Sequence, residues 1–202
     1  MTTTPTETQA GTAARARRPR ATVVATLGAL GLASVATLAT ASPAQAMATG
    51  AARPAAHVFR GPLTDLQPTT ADPLDGARAT LVLAQHRGSS TFVLVVSGVA
   101  AAGVGHTYGA HLHTGACVAG NGAAAGPHYN QSTVDGVVPP VVNNQTEVWL
   151  DVTIGAGGGA VAVARVPFVP LPGNRAVVLH AAATDDHGTA GARLACLPVS
   201  WS

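Results

Sequence analysis

The sequence predicts an all-β protein, an antiparallel sandwich or Greek-key barrel of about eight short strands. Three observations lead there. Runs rich in Val, Leu and Thr recur at strand length from residue 57 onward. Gly-, Pro- and Asn-containing stretches separate them. No segment past residue 46 sustains the 3.6-residue period of an amphipathic helix, and no tandem repeat is present.

In chain order, HVFRGPLTDLQP (57–68) holds a first strand interrupted at Pro62. ARATLVLAQ (77–85) and STFVLVVSG (90–98) flank the short turn HRGS, a hairpin pattern. VAAAGVG (99–105) is a loop, and HTYGAHLH (106–113) alternates as a strand does. Residues 114–146 are dense in Gly, Pro and Asn, and a loop of that length is uncommon unless it carries function or is disordered. EVWLDVTI (147–154) and AVAVARVPF (160–168) around GAGGG are expected to form a second hairpin. VPLPGN (169–174) and ATDDHGTAG (183–191) are loops, and RAVVLHAA (175–182) and ARLACLPVSW (192–201) are the last two strands.

The N-terminal region reads differently. Arg15, Arg17, Arg18 and Arg20 precede the weakly polar run 21–41, and SPAQA follows with small residues at Ala44 and Ala46. A basic region, an apolar region and a small-residue site make a secretory signal over 1–46. Residues 47–56 are then a flexible leader and 57–202 the folded domain. A retained membrane anchor is the alternative reading of 21–41, weakened by its threonines and by the cleavage pattern that follows at once. The mature protein is expected to be secreted or held in the cell envelope, without stable membrane insertion. The Arg17–Arg18 pair leaves a twin-arginine route open beside the general one.

Export changes the charge account. The full chain has eleven basic residues, all arginine, and nine acidic ones. Removing residues 1–46 takes four arginines and Glu7, which leaves seven against eight and a net charge near −1. A nearly neutral chain without basic runs argues against nucleic acid as a partner. Two cysteines, Cys117 and Cys196, survive processing, and in an exported chain they suggest one disulfide, with two free thiols as the alternative.

Eight histidines stand out in a chain with only 10% charged and 3% aromatic residues. His111 and His113 share one face of a strand, because side chains there repeat every two residues. His128 sits in the long loop and His180 ends a strand. Neutral imidazoles suit copper or zinc. The H-x-H pair alone is compatible with a metal site, a surface pair or a satisfied polar pair, and periodicity does not bring His128 or His180 to it.

GAHLHTGAC (109–117), AGPHYN (125–130), RAVVLHA (175–181) and AGARLAC (190–196) occur in that order. Together they resemble the copper-binding segments of the copper/zinc superoxide dismutases, over roughly residues 76–199. The resemblance implies an eight-stranded Greek-key β-barrel or sandwich and the dismutation of superoxide to oxygen and hydrogen peroxide. It implies one copper per chain on His111, His113, His128 and His180, with His128 the ligand that loosens during turnover. It pairs Cys117 with Cys196 and places Arg193 beside the copper to attract the superoxide anion.

Two departures from that family matter. Its zinc site shares the third copper histidine and adds two more from the following loop, yet no histidine lies between His128 and EVWLDV. Carboxylates with one shared imidazole make a poor zinc site, so the chain resembles the copper-only secreted branch, and zinc is expected to be absent. The outer nitrogen of His128 should then carry a proton and seek an acceptor. Glu147 is the first candidate and Asp151 the second. The segment from His180 to Arg193 is also short, which should leave the metal more open to solvent. The rival reading is an extracytoplasmic copper-binding or buffering protein on the same fold. Oligomeric state is left open by the sequence. His57, His86, His106 and His187 are expected at the surface, Tyr129 in packing, and Trp149 in core or surface without a functional mark.

Overall fold

A computed structural model describes residues 55–202. The expected signal, 1–46, and the leader up to 54 lie outside the described residues. The described residues form ten antiparallel strands: β1 (Ala55–Pro62), β2 (Thr64–Asp65), β3 (Arg78–His86), β4 (Ser89–Ser97), β5 (Thr107–Tyr108), β6 (Ala110–His113), β7 (Val152–Thr153), β8 (Ala160–Val166), β9 (Gly173–His180) and β10 (Arg193–Trp201). They form a first sheet in the order β1-β3-β4-β8, a second in the order β2-β10-β9-β6, and the two-stranded ladder β5-β7. Among the described residues no ladder joins the two large sheets, so the sandwich is the form found. No described helix is long and apolar enough to cross a membrane.

The core lies between the sheets and follows the alternation of the strands. Leu81 and Leu83 of β3, with Phe92 and Leu94 of β4, face Leu112 of β6, Val177 and Leu179 of β9, and Leu197 and Val199 of β10. Each such side chain, fully buried, contributes about 1.5–3 kcal/mol of transfer free energy. The β3–β4 turn has positive φ at Arg87 (47°) and Gly88 (81°), the left-handed pair that a two-residue hairpin turn with matching twist requires.

Three expectations change. The first strand begins at Ala55, two residues inside the expected leader. HTYGAHLH is not one strand but two, divided at Gly109: β5 pairs with β7, and β6 with β9. Gly109 donates its N–H to Ala182 O (2.7 Å) and accepts from His180 N (2.7 Å), and a Cβ there would lie 2.6 Å from that of Ala190. The backbone approaches the 181–190 loop too closely for any other residue.

The second expected hairpin does not form either. Within EVWLDVTI only Val152–Thr153 is strand, and it pairs with β5, while AVAVARV pairs with β4. The glycine turn therefore carries the chain from one ladder to another. Gly158, at φ 69°, accepts from Val99 N (3.0 Å), and a Cβ there would sit 2.6 Å from Val99 O.

The second sheet differs from the first in being covered on its outer face. The long segment 114–146 folds over it, with a 3₁₀ turn at Gly122–Ala125 and one helical turn, α1 (Gln131–Val134), whose N-cap Asn130 accepts from Thr133 N. Beneath it Leu66, Ala125, Ala176, Val178 and Cys196 form a second small apolar cluster. Cys117 of this segment is disulfide-bonded to Cys196 of β10. The pairing expected of the two cysteines is the one found, and it is compatible with an extracellular setting.

Candidate metal centre

Alternation sends one set of side chains from the second sheet into the core and the other toward the covering segment. On β6, Ala110 and Leu112 enter the core, so His111 and His113 point the other way. His180 ends β9, in register with Arg193 of β10. The covering segment meets β6 at a single β-bridge between His113 and His128, which delivers the fourth imidazole. One nitrogen from each of His111, His113, His128 and His180 lies within 4.8 Å of the others. These four residues therefore form a site able to hold a metal ion.

Each ring has an inner and an outer nitrogen. His111 Nδ1 faces His128 Nε2 at 2.7 Å, and His113 Nε2 faces His180 Nε2 at 3.2 Å. The outer nitrogens all meet oxygen: His113 Nδ1 with Gly126 O (3.0 Å), His180 Nδ1 with Gly191 O (3.1 Å), His128 Nδ1 with Glu147 Oε2 (3.0 Å) and His111 Nε2 with Thr184 Oγ1 (2.6 Å). Carbonyl and carboxylate oxygens only accept, so the outer atoms of His113, His180 and His128 carry the protons. Their inner nitrogens present lone pairs to one another. Lone pairs that close repel one another, and the repulsion is relieved by uptake of an extra proton or by a cation between them.

Burial disfavours the proton. His111 and His113 are fully buried and His180 nearly so. Desolvation, reinforced by neighbouring imidazoles, lowers His111 to about 2 and His113 to about 3, the latter against the upward pull of its bond to Gly126. Desolvation likewise lowers His180 to about 4, against its bond to Gly191, with the Arg193 charge adding to the fall. Three neutral rings at neutral pH, two of them (His113 and His180) held in one tautomer by backbone carbonyls, fit metal binding. The fourth, His128, is 19% exposed and marks the side on which the site opens.

Glu147 is 4% exposed and accepts from His128, from Trp149 Nε1 (3.0 Å) and from Asn130 Nδ2 (3.1 Å). Burial alone would raise its carboxyl, but these bonds outweigh it and hold the group below the ordinary carboxylate range. Asp151 does not meet His128. Its two oxygens accept from Thr184 Oγ1 (2.6 Å) and Thr184 N (2.8 Å), on the His111 side of the site. The stretch runs past the site with single bridges at Glu147 and Trp149, and four residues of extended chain span roughly 13 Å, so the two carboxylates serve different histidines.

Arg193 is half-buried beside the site. Its Nη1 donates to Gly122 O (2.6 Å), and its carbonyl accepts from Gln67 Nε2 (3.1 Å). It lines an open cleft of about 460 Å³ with Leu66, Gln67, Gly122, Ala123 and Ala192. The remaining histidines stay apart. His86 and His187 are exposed, His57 lies against Phe59 and Trp201, and His106 bonds Ala181 O. Tyr129 is buried and stacks on Phe168, a packing role.

Sequence reasoning missed Trp149, which lies over His111 (ring centroids 6.2 Å apart) and bonds Glu147, and it missed Thr184. The parity of residues 147, 149 and 151 was a usable signal, because Val148, Leu150 and Val152 are the apolar set of the same stretch. Thr184 carries no such signal in an irregular loop.

No protein-family model matches the chain, and no curated protein does. The chain is similar to the crystal structure of the clock protein EA4, at 21% identity over 72% of this chain and 92% of that one, with a TM-score of 0.48. That likeness contributes nothing to the reading of the site.

Proposed function

We propose that the protein is an exported, copper-dependent superoxide dismutase that works without zinc. The observation that carries this reading is the set of four inner histidine nitrogens with every outer nitrogen bonded to oxygen. A nitrogen-only, four-imidazole donor set suits copper. A bound copper would supply the one-electron couple on which dismutation depends. The chain's own residues supply the rest. His111, His113 and His180 are the buried, permanent donors. His128 is the accessible one, with Glu147 keeping a proton on its Nδ1. That bond occupies the atom through which a second metal would share the ring, which supports a copper-only site.

Arg193 provides a fixed positive charge at the side of the cleft. One of its donors is held by Gly122 O, which limits the guanidinium's freedom and leaves others for an anion. With a mature charge near −1, attraction of superoxide must be local. A buffering protein needs no such charge, and Arg193 therefore favours the enzyme over the copper-storage reading.

Metal analysis of the purified mature protein, with superoxide decay measured in parallel, tests the proposal. The expected result is one copper per chain, no zinc, and fast decay that persists when excess chelator has removed free copper. Arg193→Ala should slow decay while copper stays bound, and His128→Ala should abolish it with copper retained on the other three histidines. Decay that chelation of free copper abolishes would leave the buffering role, and a zinc ion in each chain would contradict the copper-only site.

A further inference from the structure

Three of the four outer histidine nitrogens face groups that can only accept. The fourth does not. His111 Nε2 meets the hydroxyl of Thr184, which can donate or accept. Were Thr184 to donate, His111 would take the other tautomer, with its proton on Nδ1. That proton would point at His128 Nε2, 2.7 Å away, and no lone pair of His111 would face the centre. The direction of one hydroxyl thus decides whether the site has four donors or three.

We propose that Asp151 sets that direction, and that Asp151 and Thr184 together are positioning residues that hold His111 in its metal-binding tautomer. The inference rests on the metal-site reading above, though not on the identity of the reaction. Asp151 Oδ1 lies 2.6 Å from Thr184 Oγ1, and Oδ2 accepts from Thr184 N at 2.8 Å. An ionised carboxylate only accepts, so the Thr184 proton belongs to Asp151. A hydrogen bond to an ionised oxygen is about twice as strong as one between neutral groups, which makes the competing bond to His111 the weaker use of that proton. With its hydrogen committed, the Thr184 oxygen accepts from His111 Nε2. The His111 proton is then outside, and the Nδ1 lone pair is inside.

The fold holds these groups together from separate places. Asp151 leads into β7, Thr184 lies four residues beyond the end of β9, and His111 is on β6. Gly109 leaves the room: a Cβ on it would lie 2.9 Å from Thr184 Oγ1. The anchoring of Oδ2 on a backbone N–H matters most, because it fixes how an amide would sit in the same place. In an Asp151→Asn variant the side-chain oxygen must keep accepting from Thr184 N. The NH₂ group then faces Thr184 Oγ1 and donates to it. The hydroxyl, now an acceptor from Asn, is free to donate to His111 Nε2, and the tautomer reverses.

The test is an imidazole ¹⁵N–¹H correlation spectrum of the full mature protein without metal, paired with cupric-ion affinity by chelator competition. Wild type should show His111 protonated at Nε2. Asp151→Asn should show it protonated at Nδ1, with copper affinity lowered about 10- to 100-fold, the range typical for loss of a group that orients a ligand. Thr184→Val should lose affinity in the same range, and Thr184→Ser should restore both the tautomer and the affinity. A backbone spectrum matching wild type shows that the variants fold, and the Thr184→Ser rescue separates orientation from simple damage. A wild-type His111 protonated at Nδ1 overturns the proposal, as does an Asp151→Asn variant with unchanged tautomer and affinity. Failure of the wild type to bind copper, with the tautomers as stated, would instead count against the metal-site reading and leave the relay standing.

Discussion

The two sheets share one core and differ in what lies behind them. The first turns its outer face to solvent, and a row of four valines in register crosses it: Val58, Val82, Val93 and Val163. The second is roofed by the disulfide-tied segment 114–146. Of the seven buried polar or charged side chains among the described residues, His111, His113, His180, Asn130, Ser132 and Glu147 belong to the second sheet's outer face or to the chain packed over it, and Ser90 sits on the first sheet. Sheet two with its roof is thus a second, polar interior. Its groups are buried at a cost that hydrogen bonds only partly offset, which is how a ligand-binding site differs from a structural face.

The largest expected effect separates the two interiors by pH. His111, His113 and His180 have folded values of about 2, 3 and 4, well below the unfolded value of 6.5. Below pH 6.5 the unfolded chain binds protons that the folded chain refuses, so stability is complete above that pH and falls as acid is added. Between pH 6.5 and 5 each of the three costs about 2 kcal/mol, several kcal/mol together. Urea unfolding of the metal-free protein at a series of pH values should show this loss. A variant with Leu in place of His113 and His180 should flatten it, and an equally steep curve in that variant would show that the roofed interior is not its source.

Next in size are two perturbations of similar cost and different consequence. Phe92→Ala, in the shared core, should destabilise by about 3–5 kcal/mol and leave copper affinity alone. Replacing Cys117 and Cys196 by Ser opens a loop spanning 79 residues of separation and should cost about 4 kcal/mol in the chain-entropy model. Unlike Phe92→Ala, it should also weaken copper binding, because it frees the segment that carries His128. Equal copper affinities in the two variants would remove the roof's claimed role.

Glu147→Gln is a smaller change. It should cost about 1–3 kcal/mol, the penalty for a buried donor left unmatched, and lower copper affinity and turnover together. Unchanged values for both would show that Glu147 does not hold the His128 proton. At the foot of the series, Val163→Thr on the solvated face should stay within about 0.5 kcal/mol of wild type. A larger shift in unfolding midpoint would mean that this face is covered.

How much of this was legible depends on which kind of signal each residue carried. The β3–β4 hairpin is plain in the sequence, because alternating Leu and Val frame the turn at Arg87–Gly88 and the pairing partner is the next strand. EVWLDVTI announces a strand equally well but misleads about its partner. Its local pattern says which side chains are inward and nothing about the distant ladder that takes its backbone. His111 and His113 declare a shared face by spacing alone. His128 and His180 reach them only through tertiary contacts, a bridge from a loop and a neighbouring strand, so the resemblance of ordered segments had to supply that step. Thr184 was invisible, since its role comes from a hydroxyl held between Asp151 and His111, three groups far apart in the chain.

Binding of one copper on four imidazoles at the roofed face of the second sheet is the proposed property on which the rest depends. It is tested most directly by electron paramagnetic resonance of the mature protein titrated with cupric ions. One spectral species is expected, saturating at one ion per chain, with nitrogen couplings from histidine that disappear when His111 and His180 are both replaced by Ala. A spectrum and stoichiometry unchanged in that double variant would contradict it.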